Sequence, residues 1–189
     1  MQDSTGEYIN EQVVLFGPYQ QETWQIAYNP EKLDAVETVA VFQYNRIGVE
    51  IDTLPDFYLT SAFGGRMREQ VRHYTNVADA FEAMRKGEVS AVMGMRSEID
   101  HELAKSENAM FEAAGNGFPG IGKQVWDVGM AIKHTHRQLG YALEAIIDRL
   151  VKTGEMNELM ASQKLRYSVP GYYREFLDEQ AIARAEGDL

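Results

Sequence analysis

The sequence predicts an α/β protein with a mostly parallel sheet flanked by helices, and two features carry this prediction. The first is a helix–glycine–strand unit in Thr75–Met95, where apolar residues at helical spacing precede Gly87 and the apolar run Val89–Met93. The second is the alternation of short apolar runs with helical patterns along the chain, which favours parallel strands connected by helices. At 189 residues, the chain is long enough for one large domain or two small ones.

Short apolar runs in the first part of the chain predict strands separated by turns. We expect residues 1–11 to be polar and irregular, and the first strand to stop at Gly17-Pro18. A turn is expected at Pro30–Leu33 and a long loop at Tyr44–Pro55, with Gly64-Gly65 ending the first helix. The expected strands are Val13–Phe16, Thr23–Tyr28, Thr38–Gln43 and Val71–Tyr74, and the expected helix is Asp56–Phe63.

The second part of the chain contains the clearest helical pattern. In Arg137–Thr153 the apolar residues recur at the spacing of one helix face, and Gly154 ends the pattern. Thr75 is expected to cap the helix of the opening unit, and a glycine-rich segment at Gly115–Gly122 is expected to be a mobile connection. The other expected elements are a helix at Ser97–Lys105, a strand at Met110–Ala113, a strand within Gln124–Lys133, a helix at Glu155–Leu165, a break at Pro170-Gly171, and a helix or tail at Tyr172–Glu186.

Composition excludes several classes of function. The formal net charge of -11, with no stripe of basic residues, argues against nucleic acid or an anionic membrane surface as a partner. The absence of cysteine excludes disulfides, zinc–cysteine sites and cysteine nucleophiles. No apolar run reaches membrane-spanning length, and the first residues lack the basic start and apolar core of a signal peptide. If the protein is exported, we expect this sequence to be a mature or truncated form.

Five blocks resemble, in order, the extracytoplasmic (periplasmic) solute-binding proteins of family 3, which serve ABC importers. The blocks are Val13–Tyr19 (VVLFGPY), Leu33–Phe42, Thr75–Met95, Val128–Lys133 (VGMAIK) and Leu139–Leu159. The resemblance implies the type 2 periplasmic-binding-protein fold, with one full lobe and part of a second. It lacks the N-terminal part of lobe one, so a truncated form and a naturally reduced form both remain open.

The resemblance also implies an organisation along the chain. Residues 1–18 would lead to the hinge, and residues 19–125 would form lobe two. Residues 126–170 would supply the return strand and helices of lobe one, and residues 171–189 a C-terminal helix or tail. Without the rest of lobe one, apolar faces of the return segment would need cover from a homo-oligomer or another polypeptide.

The function implied is capture of a small-molecule ligand in the periplasm for the membrane permease of an ABC importer. A sensory or accessory domain that acts through another periplasmic protein is the alternative. An enzyme is not expected, because the sequence shows no paired acid–base constellation in a predicted cleft. No cofactor or metal is expected, and His134 and His136 are interpreted as surface residues because they lack further ligands at a known spacing.

Two segments of lobe two are candidate ligand contacts. Amino-acid-binding members carry a Gly-Thr pair after the first strand of this lobe, where helix amides hold the ligand carboxylate. Here the expected strand is followed by Tyr44, Asn45 and Arg46, which makes Arg46 a candidate to hold an anion and Tyr44 a candidate wall. A solvated loop residue is the alternative interpretation of Arg46. The aspartate that pairs with a ligand ammonium group is replaced by Met95, and Arg96 follows it. A thioether cannot neutralise an ammonium, so a standard α-amino acid is not the expected ligand.

Three aromatic residues near the predicted crossings between lobes complete the candidate set. Phe16 and Tyr19 flank Gly17-Pro18, and Trp126 precedes the return strand. Aromatic rings at such positions close over a ligand in one interpretation and pack the hinge in the other. The sequence leaves both interpretations open.

Overall fold

The computed structural model describes residues 12–115 and 125–178 and divides into two compact units. The sheet unit is Thr23–Val125, and the return unit combines Met1–Glu22 with Trp126–Leu189. The expected boundary at residue 19 and the observed one at Thr23 both fall inside strand β1 (Val13–Tyr28). In the described ranges, no helix is both long and apolar enough to cross a membrane.

The sheet unit is built on a mostly parallel sheet, which confirms the predicted fold class. Its strands lie in the order β3-β2-β4-β1-β5. Strand β2 pairs in parallel with β3 and β4, whereas β1 pairs antiparallel with β4 and β5, so only β1 runs against the others. The strands after β1 are β2 (Ile47–Glu50), β3 (Val71–Tyr74), β4 (Ala91–Met95) and β5 (Glu112–Ala113).

Three helices connect these strands. Helix α2 begins at Asn76, whose side-chain oxygen accepts the Asp79 N–H at 2.8 Å, so the cap is Asn76 and not the expected Thr75. Phe81 on α2 is fully buried and meets Phe111 edge-on, with ring centroids 6.1 Å apart. The helices are α1 (Leu54–Gly65, which loses helical geometry from Ala62), α2 (Val77–Arg85) and α3 (Arg96–Leu103).

The expected strand Thr38–Gln43 is wrong. Val39–Gln43 is a short 3-10 helix, and the Thr38 hydroxyl accepts the Ala40 N–H at 3.3 Å. The apolar side chains that suggested a strand are buried there, because a short helix buries Val39 and Phe42 as well as a strand would. Strand β2 lies instead inside the expected loop Tyr44–Pro55.

The expected stop of β1 at Gly17-Pro18 is also wrong. The Gly17-Pro18 peptide is cis and Gly17 has φ +106°, and the strand continues through it to Tyr28. Glycine tolerates this backbone conformation, so the strand continues through the pair. Strand β6 (Val125–Lys133) pairs with β1, and a side chain at Gly129 would approach the Phe16 carbonyl oxygen to 2.7 Å.

The return unit consists of the first part of β1, strand β6 and a set of helices. Helix α4 (Arg137–Thr153) has the predicted bounds, and α5 is Glu155–Ser162. Residues 171–178 are helical, while 1–11, 116–124 and 179–189 lie outside the described residues, and with them most of the expected loop Gly115–Gly122. The small core of this unit contains Ile147, Val151, Met156 and Tyr173.

We expect Gly140→Ala to destabilise the protein by about 1–3 kcal/mol, although alanine gains about 1 kcal/mol as the better helix former. An added Cβ at Gly140 would lie 2.1 Å from Phe16 Cε2. The Phe16 ring packs edge-on against the Tyr141 ring, with the ring centroids 5.3 Å apart. Urea unfolding followed by circular dichroism measures the change. The control Gln138→Ala, on the exposed side of the same turn, should stay within about 0.5 kcal/mol. A Gly140→Ala protein as stable as the parent contradicts this packing.

We expect Tyr167→Phe to raise stability by about 1 kcal/mol. The Tyr167 hydroxyl is buried without a hydrogen-bond partner among the described residues. Burial, with a smaller contribution from Tyr173, raises the pKa of Tyr167 to about 12. Because the folded state keeps this proton above the ordinary pKa of tyrosine, the parent should lose stability between about pH 10 and pH 12. Urea titrations at pH 8 and pH 11 should show a smaller loss for the phenylalanine variant, and an equal loss contradicts the assignment.

Candidate ligand-binding site

The carboxyl ends of the parallel strands in the sheet unit meet at one edge, which we call the carboxyl edge. Ile51–Thr53 follow β2 there, and Met95 ends β4. Trp24 of β1 lies opposite Met95 in the strand register and is buried. Ligands of open α/β sheets bind outside this kind of edge, so the residues here are the candidate ligand contacts of the sheet unit.

The structure separates the two segments that the sequence proposed as ligand contacts. Met95 and Arg96 lie at the carboxyl edge, at the end of β4 and the start of α3. Tyr44, Asn45 and Arg46 precede β2, so the expectation that they follow the first strand of the lobe is wrong. The Arg46 carbonyl accepts the Ser90 N–H at 2.9 Å, directly before β4, which places Arg46 about 15 Å from Met95 along the strand direction. Tyr44 is 85% exposed.

The residues that follow the first parallel strand are Asp52 and Thr53, and sequence reasoning missed them. They occupy the position of the Gly-Thr pair in the resemblance, since Thr53 directly precedes α1. Asp52 has φ +60°, a left-handed conformation that favours glycine and is tolerated by aspartate. The sequence does contain a signal for this position, because a threonine two residues before Pro55 is a typical helix start.

A carboxylate of the chain itself occupies the N-terminus of α1. Asp56 is 6% exposed, and its Oδ2 accepts the Asp52 N–H at 3.1 Å. Its Oδ1 accepts from His73 Nε2 at 2.9 Å. Pro55 contributes no N–H to this turn. One amide donor beside this helix N-terminus, the Asp52 N–H, is therefore already directed at a carboxylate of the chain.

The start of α3 has the same arrangement. The Glu98 carboxylate accepts the Met95 N–H at 3.2 Å. Glu50 at the end of β2 and Asp52 after it add further carboxylates, and the basic side chain that follows β4 is Arg96. The balance of charge at the carboxyl edge is thus acidic, which suits a cationic or neutral group better than an anion.

Hydrogen-bonding and apolar groups accompany these carboxylates. The Thr53 hydroxyl donates to the Glu50 carbonyl at 2.6 Å, so its oxygen retains acceptor capacity for an incoming N–H. Ile51, Leu54 and Phe57 are 52%, 60% and 57% exposed and recur every three residues along the start of α1. The edge therefore offers acidic, hydrogen-bonding and apolar surface next to one another.

The three aromatic candidates belong to the return unit. Phe16 is buried against Gly140 and Tyr141, and Tyr19 packs on the core around Ile147. Trp126 lies half-buried in β6. The described contacts of Phe16 and Tyr19 are those of packing residues, and a ligand contact stays a prediction for all three. His134 and His136 are exposed. The described residues contain no group of three histidine, aspartate or glutamate side chains placed to hold a metal ion.

We expect Asp56→Ala to cost about 2 kcal/mol of stability, because His73 and the Asp52 N–H lose a common buried acceptor. Urea unfolding measures this loss. The matched control is Asp34→Ala, which removes an exposed carboxylate of the same unit and should change stability by less than about 0.5 kcal/mol. Equal effects of the two substitutions would show that Asp56 does not hold this turn together.

Comparison with known proteins supports the fold through structure alone. No protein-family model matches the chain, and no curated protein has a significantly similar sequence. Solved structures match with high probability, among them an amino acid ABC transporter substrate-binding protein from Streptococcus pneumoniae bound to L-arginine. It has a TM-score of 0.66 and 15% identity over 82% of this chain, and the match spans 62% of that protein.

Two further neighbours are named for the amino acids that they bind. The arginine-, lysine-, histidine-binding protein ArtJ from Geobacillus stearothermophilus has a TM-score of 0.60 and 15% identity over 81% of this chain and 63% of its own length. The solute receptor for L-cysteine from Neisseria gonorrhoeae has a TM-score of 0.60 and 16% identity over 80% of this chain and 57% of its own. Each of these neighbours is named as a binding protein or a solute receptor. The chain therefore has the α/β fold of the amino-acid-binding proteins of ABC transporters, as the sequence resemblance implied, over less than two thirds of their length.

Proposed function

We propose that the chain is part of an extracytoplasmic solute-binding protein that captures a small molecule for an ABC-type importer. The observation that carries this proposal is the carboxyl edge of the sheet unit, where Thr53, Met95 and Arg96 accompany exposed apolar side chains. The fold shared with substrate-binding proteins supports it. The partner would be a membrane permease, and the compartment would be the periplasm.

The ligand we propose is not a standard α-amino acid. Asp56 already occupies the helix N-terminus that would receive an α-carboxylate, at 3.1 Å from the Asp52 nitrogen. A second carboxylate in that place would meet Asp56 and Asp52 at close range, and like charges repel. A cationic or neutral group, placed against Asp52 and the Thr53 oxygen, fits this edge. The remaining ligand contacts that we propose are Met95 and Arg96.

A sensory or accessory role is the second candidate, and the same occupied helix N-termini favour it. Asp56 and Glu98 satisfy amide donors that a carboxylate ligand would otherwise bind. A domain whose ligand site is filled by its own side chains would act through a protein partner. Exposed apolar residues of α4, namely Leu139, Tyr141 and Ile146, give such a partner or a second copy of the chain a surface to cover.

A matched pair of solutes tests the ligand class. We expect agmatine, the decarboxylated counterpart of arginine, to raise the melting temperature and arginine to raise it less. Binding to the folded state stabilises by about 2.7 kcal/mol at a ligand concentration of 100 times Kd, so thermal shift detects it. Isothermal titration calorimetry then gives the two dissociation constants, and we expect agmatine to bind at least about tenfold more tightly, since tenfold corresponds to about 1.4 kcal/mol.

The variant Asp52→Asn should weaken agmatine binding, whereas Asp34→Asn, a distant exposed carboxylate, should not. Tighter binding of arginine than of agmatine contradicts the proposed ligand class. If neither compound nor a wider panel of amines and neutral solutes shifts the melting temperature, the importer role fails. A mass in solution above 21.4 kDa would then direct attention to the partner-dependent role.

A further inference from the structure

The turn between β6 and α4 concentrates positive charge in an acidic protein. Four of the five consecutive residues from 133 to 137 are basic, namely Lys133, His134, His136 and Arg137, in a chain with a formal net charge of -11. All four side chains are exposed. We call this segment the basic turn.

The basic turn borders a pocket of about 370 Å³ that lies wholly within the return unit. Its lining consists of Gln12, Val13, Lys133, His134 and Thr135. The His134 N–H donates to the Gln12 carbonyl at 2.8 Å, which ties the turn to the chain just before β1. Because this backbone contact fixes the turn, Lys133 and His134 are presented at a defined concavity and not on a loose loop.

No carboxylate among the described residues neutralises this charge. The ion pairs described in the return unit use other basic residues, Arg149 with Glu155 and Lys152 with Asp148. Arg137 lies with Nη1 3.5 Å from His134 Nε2. Since a guanidinium only donates, Nε2 accepts and the Nδ1–H of His134 is left as a donor. The first turn of α4 has no acidic residue either, so the positive end of the helix adds to the field.

We propose that this pocket is a binding site for a phosphate-class anion, either inorganic phosphate or a phosphomonoester. Lys133 lines the pocket and Arg137 lies beside it, with Nη1 3.5 Å from His134 Nε2, so two permanent cations match the double charge of such an anion. The imidazole N–H supplies a neutral donor for its oxygens, while the Thr135 hydroxyl, which also lines the pocket, forms a hydrogen bond of 3.0 Å with His136 Nδ1. A pocket of this volume holds the anion together with part of the molecule that carries it. This site lies in the return unit and does not rest on the ligand proposed for the sheet unit.

The test is titration of the full chain with inorganic phosphate at pH 7.5, with chloride keeping the ionic strength constant. We expect saturable heat in calorimetry and a shift of the His134 ring signals in NMR spectra. The variant Lys133→Gln/Arg137→Gln should bind phosphate at least about tenfold more weakly, because it loses both charge-assisted contacts to the anion. The matched control Lys164→Gln removes an exposed lysine of the same unit and should leave binding unchanged.

Absence of saturable binding in the parent overturns the proposal, as does unchanged binding in the double variant or equal loss in the Lys164→Gln control. Vesicles distinguish the two sources of the anion. If the protein co-sediments with phosphatidylcholine vesicles that contain phosphatidic acid, and not with vesicles of phosphatidylcholine alone, the site binds a lipid headgroup. Binding of free phosphate without vesicle binding assigns it to a soluble phosphate. Because all substituted residues are exposed, unchanged circular dichroism spectra should accompany these measurements.

Discussion

The parallel pairing of β2 with β3 and β4 is the interaction on which the rest of the sheet unit depends. Ile47–Glu50 pair with Val71–Tyr74 on one side, and Ile47–Val49 pair with Ala91–Met93 on the other, through backbone hydrogen bonds. The direction of this short strand decides which loops form the carboxyl edge. It brings Asp52 and Thr53 to that edge and leaves Arg46 at the opposite one. Because the strand is Ile47–Glu50 and not the expected Thr38–Gln43, the residues at the carboxyl edge are Asp52 and Thr53 and not Tyr44–Arg46.

The carboxyl edge combines two helix N-termini with an acidic balance of charge. Two helices begin there, and the amides at their N-termini would ordinarily attract a negative group. Asp56 and Glu98 satisfy donors at these positions from within the chain. Two amide donors at this edge are therefore already paired with carboxylates of the same chain, in a fold that the chain shares with its structural neighbours.

The return unit differs from the sheet unit in how much apolar surface it buries. Its contact between Phe16 and Gly140 is close, yet Leu139, Tyr141 and Ile146 of the same helix remain about half exposed. The apolar residues of α4 are therefore divided between side chains that the described residues of the unit bury, such as Ile147 and Val151, and side chains that they leave half exposed. Helix formation here follows the sequence pattern, while the half-exposed apolar side chains are available for a further interaction.

The sequence by itself determined the elements whose signals are local. The amphipathic spacing in Arg137–Thr153 defined α4, and Gly87 between a helix and an apolar run defined the α2–β4 unit. The order of five motif blocks indicated the fold. For α4 and the α2–β4 unit, the pattern and its glycine lie close together in sequence, so neighbouring residues are sufficient to predict these elements.

The tertiary structure alone decided which apolar run entered the sheet. Thr38–Gln43 has the stronger strand pattern, but Val39–Gln43 is a short 3-10 helix. Val39 and Phe42 are buried in this helix, and a strand would bury them equally well, so burial does not select the strand. Ile47–Glu50 became the strand because β3 and β4 complete its hydrogen bonds, and these partners are more than 20 residues away in sequence. The carboxyl edge, the placement of Arg46 and the role of Asp56 follow from that long-range pairing, which no local pattern contains.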